Sequence, residues 1–134
     1  YSQFTLIKEF PENFSIGYGR TYFTGKNSEF SEKIAIMPIG YADGLNRALS
    51  NTYSVFSESG EKFSCVGRIS MDQSAYGVPE NSEFFGENIP NSSKIFLLGK
   101  FSNACDLAKI QNTISYEVLI NFGSSERLRK VWVY

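Results

Sequence analysis

At 134 residues, with 42% hydrophobic and 20% charged residues, the chain has the size and composition of one soluble globular domain with a real core. A net charge of -1 excludes the basic footprint of a nucleic-acid binder, and no apolar stretch is long enough for a membrane-spanning helix. The complete absence of histidine excludes a Ser-His-Asp triad, a Cys-His pair and the common zinc sites, so no metal is expected and proton transfer falls to Tyr, Lys, Cys or a carboxylate.

Tyr1 leads straight into residues 4–10, whose alternation predicts a strand. Nothing resembling a natural N-terminus precedes it, so the chain reads as a fragment of a longer protein. Residues 16–24 are rich in Tyr and Phe and predict a second strand, interrupted by Gly17 and Gly19. Glycine inside a strand signals a bulge or a close backbone approach. Residues 27–32 predict a polar loop, and residues 33–40 a third strand, apolar enough to be central. Residues 53–57 and 62–69 flank Ser59-Gly60 as a hairpin. Residues 72–78 continue the sheet into a Pro/Asn/Ser/Gly-rich loop through Ser93, and residues 94–99 predict a buried strand.

The period then changes. Residues 103–111 and 115–122 have helical spacing, with Asn103 and Ser115 placed to cap them. Residues 127–134 predict a closing edge strand. The expected fold is mainly β, a small Greek-key-like β-barrel (or a sandwich) with one or two short helices near the C-terminus. Cys65 and Cys105 read as buried hydrophobes of a reduced, cytoplasmic protein, with a disulfide between them as the alternative.

Three polar concentrations stand out from this frame. Pro38-Ile39-Gly40-Tyr41-Ala42-Asp43-Gly44, with Arg47, ends an apolar strand in a turn that displays a phenol, a carboxylate and a guanidinium. Asp43-Gly44 suits a turn, but Tyr41 and Arg47 add nothing to one. Gly67-Arg68-Ile69-Ser70-Met71-Asp72-Gln73 is the second; its bland reading is Met71 in the core and Arg68 with Asp72 as a weak surface ion pair. Thr113-Ile114-Ser115-Tyr116-Glu117 is the third, by itself a helix start with Glu117 near the positive end of the dipole. Upstream, Tyr18 lies between glycines in Gly17-Tyr18-Gly19-Arg20-Thr21. It reads either as an aromatic strand residue packed beside a bulge, or as a phenol that the glycines let a ligand or another chain approach. Tyrosine serves as an acid or base only when its pKa, about 10 in a free peptide, is tuned toward the working pH.

The four segments together, in this order and in a β-rich chain, resemble the C-terminal domain of alanine racemase. The resemblance implies a domain covering residues 1–134, joined to an N-terminal barrel that holds pyridoxal 5'-phosphate on a lysine. No segment here resembles that lysine's setting. It further implies a homodimer in which alanine loses a Cα proton from one face and regains one on the other. Tyr18 would be the base for one face, reaching into the partner subunit's site. Met71 would offer its backbone N–H to the substrate carboxylate, and Tyr116 its hydroxyl to the cofactor phosphate. Tyr41, Arg47, Arg68, Asp72 and Ile114 would line the corridor into the site. Two stretches depart from the family pattern: residues 27–32 and residues 124–131 look longer than usual. A stand-alone β-barrel that binds a partner or assembles oligomers, and a racemase for another small amino acid such as serine, are the alternatives. One added hydroxyl is poorly rejected by a small pocket.

Overall fold

The computed structural model describes residues 1–25, 32–86 and 93–128. In chain order the strands are β1 (Leu6–Phe10), β2 (Ser15–Ile16), β3 (Tyr22–Phe23), β4 (Glu32–Met37), β5 (Ser54–Ser57), β6 (Lys62–Ser64), β7 (Ser74–Gly77) and β8 (Ile95–Phe96). Two helices follow, α1 (Ala104–Gln111) and α2 (Ser115–Ser124).

Ile34, Ala35 and Met37 are fully buried, which fits the apolar run of β4 to the middle of a sheet. It pairs antiparallel with β1 on one side and β7 on the other, so the expected central strand is central. The second sheet has the order β6-β5-β8, and its β5–β6 hairpin turns at Ser59-Gly60 as expected, with Gly60 at φ 92°. Phe4, Phe63 and Phe84 join the two sheets: each pair of rings meets edge to face at 5.2–5.8 Å. Such contacts contribute about 0.5–1.5 kcal/mol each beyond the area they bury.

The expected barrel is not closed. The two sheets meet at two seams, but each seam is an isolated bridge, Cys65 with Tyr76 and Ser2 with Ile95. At the first, the backbone turns away at Gly67 (φ 74°) immediately after Val66 bonds Ala75, so the ladder cannot continue. At the second, β8 is only two residues long.

Residues 16–24 also differ from expectation. They form a short hairpin, β2 against β3, with Gly17-Tyr18-Gly19-Arg20 as its turn. Positive φ at Gly17, Gly19 and Arg20 reverses the chain within four residues, which no extended strand permits. Tyr22 holds the hairpin down through a 2.6 Å hydrogen bond to Glu32 in β4.

Asn103 caps α1 by accepting from the Asp106 N–H, as expected, and Asn112 ends that helix in the left-handed conformation. Ser115 does not cap α2. The N-cap is Ile114, which has no side-chain acceptor to give, and the Thr113 hydroxyl instead donates to the Glu117 carboxylate. Parts of the expected 27–32 loop, the loop through Ser93 and the 127–134 strand lie outside the described residues; Arg127 itself is in a turn.

Both cysteines are free, and only Cys65 is buried; Cys105 is exposed on α1, against expectation. Burial pushes the Cys65 thiol up to about 11. A disulfide reagent at neutral pH is expected to titrate one thiol rapidly in the native protein and the second only after denaturant is added. Two fast thiols would contradict the packing around Cys65.

Candidate functional site

The first two polar segments, Gly40–Gly44 and Ser70–Gln73, are interlocked through their backbones. Tyr41 N–H donates to the Ser70 carbonyl at 3.0 Å and Ala42 N–H to the Met71 carbonyl at 2.9 Å. A Cβ on Gly40 would stand 2.3 Å from the Ser70 oxygen, so only glycine lets the loops approach this closely. The Ser70–Gln73 loop is pinned at its ends: Ser70 N–H and hydroxyl both donate to the Gln73 carbonyl, and Gln73 N–H donates back to the Ser70 hydroxyl. Met71 and Asp72 are thereby held out at its tip, both exposed. Ile69, buried, anchors the loop, helped by a 3.0 Å bond from its N–H to Ser50 Oγ.

The Tyr18 turn is fastened to the same structure. A Cβ on Gly17 would lie 2.9 Å from the Arg68 nitrogen, and one on Gly67 would lie 2.4 Å from the Ile16 oxygen. Asn51 adds a brace that sequence reasoning missed. Its Oδ1 accepts from Gly67 N–H at 2.6 Å, and its Nδ2 donates to Thr21 Oγ1 at 3.1 Å. The sequence signal was slight, a single Asn in a turn at φ 61°.

These braces leave six side chains or tips around one open depression of about 1050 Å³: Tyr18, Tyr41, Arg47, Arg68, Met71 and Asp72. Tyr18 is 70% exposed, which rules out the packed-strand reading of that residue. Met71 is likewise 55% exposed and not core. Among the described residues Arg68 and Asp72 form no ion pair with each other or with any other group, and neither does Arg47. The Met71 N–H donates no hydrogen bond among the described residues, whereas its carbonyl is held by Ala42. The depression therefore offers two phenols, two guanidiniums with no ion partner among the described residues and the Met71 N–H, a set that suits a small carboxylate.

Asp43 is not displayed, contrary to the sequence reading. It is 2% exposed; Oδ2 accepts from the Gly40 N–H at 2.9 Å and Oδ1 lies 3.2 Å from Arg127 Nε.

Ile114 and Tyr116 are elsewhere. They line a second, smaller depression between α1 and α2, together with Thr113, Ser115 and Lys109, and the two depressions share no lining residue. Ile114 is 65% exposed and Tyr116 is 73% exposed. An exposed Ile at an N-cap is a poor choice for the helix, where Ser or Asp would be worth about 1 kcal/mol more. Leu119 and Ile120 extend this apolar face along α2, again exposed. Among the described residues no helix is long and apolar enough to cross a membrane.

The described domain is mainly β, and its polar rim and the apolar face of α2 both lie open. Residues 1–132 match the family model for the alanine racemase C-terminal domain, and the chain belongs to that family. It is 42% identical to "Alanine racemase 2" of Caldanaerobacter subterraneus over 135 residues, covering 99% of this chain and 32% of that protein. An alanine racemase from Clostridium difficile in complex with cycloserine superposes with a TM-score of 0.74 at 34% identity, over 90% of this chain and 29% of that one. The Bartonella henselae enzyme, solved with covalently bound pyridoxal phosphate, shares the fold with a TM-score of 0.80 over 98% of this chain and 33% of that one, at 24% identity. The chain thus spans about a third of the length of the relatives it matches.

Proposed function

We propose that this chain is the C-terminal domain of a pyridoxal-phosphate-dependent alanine racemase, that it follows an N-terminal barrel, and that it acts within a homodimer. The convergence of Tyr18, Tyr41, Arg47, Arg68, Met71 and Asp72 on one depression carries the reading. They come from three separate segments of the sequence, and glycine-mediated backbone contacts bring those segments together.

Racemisation takes the Cα proton from one face of alanine and returns one to the opposite face. Pyridoxal phosphate, when bound, draws the charge left on Cα into its ring. Tyr18, at the tip of its hairpin, takes the Cα proton of L-alanine as the phenolate and becomes the phenol, and in the reverse direction the phenol gives its proton back to Cα. A lysine of the remaining chain serves the other face. The free Met71 N–H donates to the substrate carboxylate, and the Ala42 bond to the Met71 carbonyl sets the peptide unit that follows that residue. Arg47 and Arg68 attract the carboxylate, and with Tyr41 and Asp72, joined by Ile114 from a second copy of the chain, they narrow the corridor to small amino acids.

The residues present fit the cofactor only in part. The exposed hydroxyl of Tyr116 suits a phosphate oxygen, with a charge-assisted bond. Among the described residues no lysine lines the first depression; Lys109, at the edge of the second, is exposed and paired with Asp106 at 3.6 Å. That is not the apolar setting in which an amine becomes a carbonyl nucleophile. Covalent anchoring therefore belongs to the rest of the enzyme, for which the apolar face of Ile114, Leu119 and Ile120 is the natural docking surface. Because Tyr18 and Tyr116 lie in separate depressions, a site using both takes them from two copies of the chain.

Polarimetry on the full-length enzyme with alanine and pyridoxal phosphate is expected to show racemisation, and the same assay on this chain alone none. Turnover by the chain alone, or none by the whole, would overturn the reading.

A further inference from the structure

We infer that Asp43 and Arg127 form a positioning clamp that sets substrate affinity in this site, an inference that rests on the function proposed above. The Gly40–Gly44 turn stands between the Ser70–Gln73 loop and the end of α2. On the first side it holds the Ser70 and Met71 carbonyls through the Tyr41 and Ala42 N–H groups. On the second, Gly44 is so close to α2 that a Cβ would sit 2.4 Å from the Asn121 oxygen.

At the centre of the turn the Asp43 carboxylate is almost wholly removed from water. A buried carboxylate is costly unless charged and hydrogen-bonding partners satisfy it. Both are present, and they come from opposite directions. Oδ2 takes the Gly40 N–H from inside the turn at 2.9 Å; Oδ1 meets Arg127 Nε at 3.2 Å. Arg127 arrives from the segment after α2, where its own N–H donates to Ser125 Oγ at 3.3 Å.

A turn needing only local stability would be served by the Gly40 bond with Asp43 facing solvent. The ion pair instead ties the turn to the segment after α2, and through the Tyr41–Ser70 bond it ties the peptide unit that carries the Met71 N–H to the same point. Tyr41 and Met71 both line the depression, so the clamp governs where the phenol and the free N–H stand relative to each other. Neither Asp43 nor Arg127 lines that depression; they act through Tyr41 and Met71.

The test uses the full-length enzyme and steady-state kinetics with L-alanine. Asp43→Asn keeps an acceptor for Gly40 but loses the charge facing Arg127, and Arg127→Gln removes the other half. Each is expected to raise KM for alanine about tenfold while kcat changes less than about threefold, the pattern of lost binding common to ground and transition states. The double variant is expected to match the worse single variant, because the two groups act as one unit. Arg127→Lys, which keeps the charge, is expected to restore KM to within about threefold of the parent. The affinity of propionate, alanine without its amino group, is expected to fall in parallel with KM. A lower melting temperature with unchanged KM and propionate affinity in Arg127→Gln would reduce the pair to a stabilising contact and overturn the inference. So would additive effects in the double variant. If Asp43→Asn does not fold, the Arg127 pair of variants, altering a half-exposed side chain, decides the matter alone. A parent enzyme that does not racemise alanine refutes the proposed function; a parent that does, with KM unmoved in the variants, refutes only the clamp.

Discussion

Replacing Tyr18 by Phe in the full-length enzyme is expected to slow release of the Cα proton of L-alanine into D2O by about 10²- to 10⁴-fold, the usual contribution of a positioned acid or base. Release from D-alanine is expected to stay within about tenfold of the parent, because the opposite face is served by a base outside this chain. The exchange measurement matters. The enantiomers have equal free energies in water, so any variant must lose kcat/KM equally in the two racemisation directions, and turnover alone cannot tell the faces apart. NMR of each enantiomer in D2O can. Equal losses of exchange from both enantiomers would rule out one base per face. The substitution is also clean: Tyr18 is exposed at a turn tip and its hydroxyl makes no hydrogen bond among the described residues. Stability should change by no more than about 0.5 kcal/mol.

Gly40→Ala is expected to destabilise this chain by about 3–5 kcal/mol, read from urea unfolding, and to abolish activity in the full-length enzyme. The added methyl group would meet the Ser70 oxygen at 2.3 Å and the Met71 carbon and oxygen at 2.5 Å, all backbone atoms with nowhere to go. Backbone strain plays no part, since Gly40 has φ -138°, open to any residue. Gly19→Ala provides the contrast. Its φ of 72° is strained for alanine, but the nearest atom to a new Cβ is the Thr21 methyl at 3.9 Å. A loss of only about 1–2 kcal/mol is expected there. Similar costs at the two glycines would show that close approach of the two loops is not what Gly40 serves.

Much of the fold was legible in local chemistry. The apolar run of β4, the Ser59-Gly60 turn and the Asn103 cap each follow from short-range rules, and each is in place. The failures share a cause. Residues 16–24 have strand composition, yet two positive-φ glycines outweigh it and make a turn. Ser115 is a good cap by residue type, but the chain places Ile114 there, at the rim of the α1–α2 depression. Cys105 has an apolar neighbourhood in sequence and an exposed one on the helix.

The sequence by itself determined the residue types available for chemistry. Without histidine, with Tyr, Arg and Asp gathered at strand exits and with four motif segments in order, it pointed to the family that the comparisons then established. What only the tertiary structure decided is which of those groups face outward. Asp43 and Asp72 are both carboxylates in polar motifs, but one is 2% exposed and locked to Arg127, while the other stands exposed on the rim. The physical reason is that exposure depends on which distant backbone fills the space beside a residue. Gly40 against Ser70, Gly44 against Asn121 and Gly67 against Ile16 are contacts across the fold, and no local pattern encodes them.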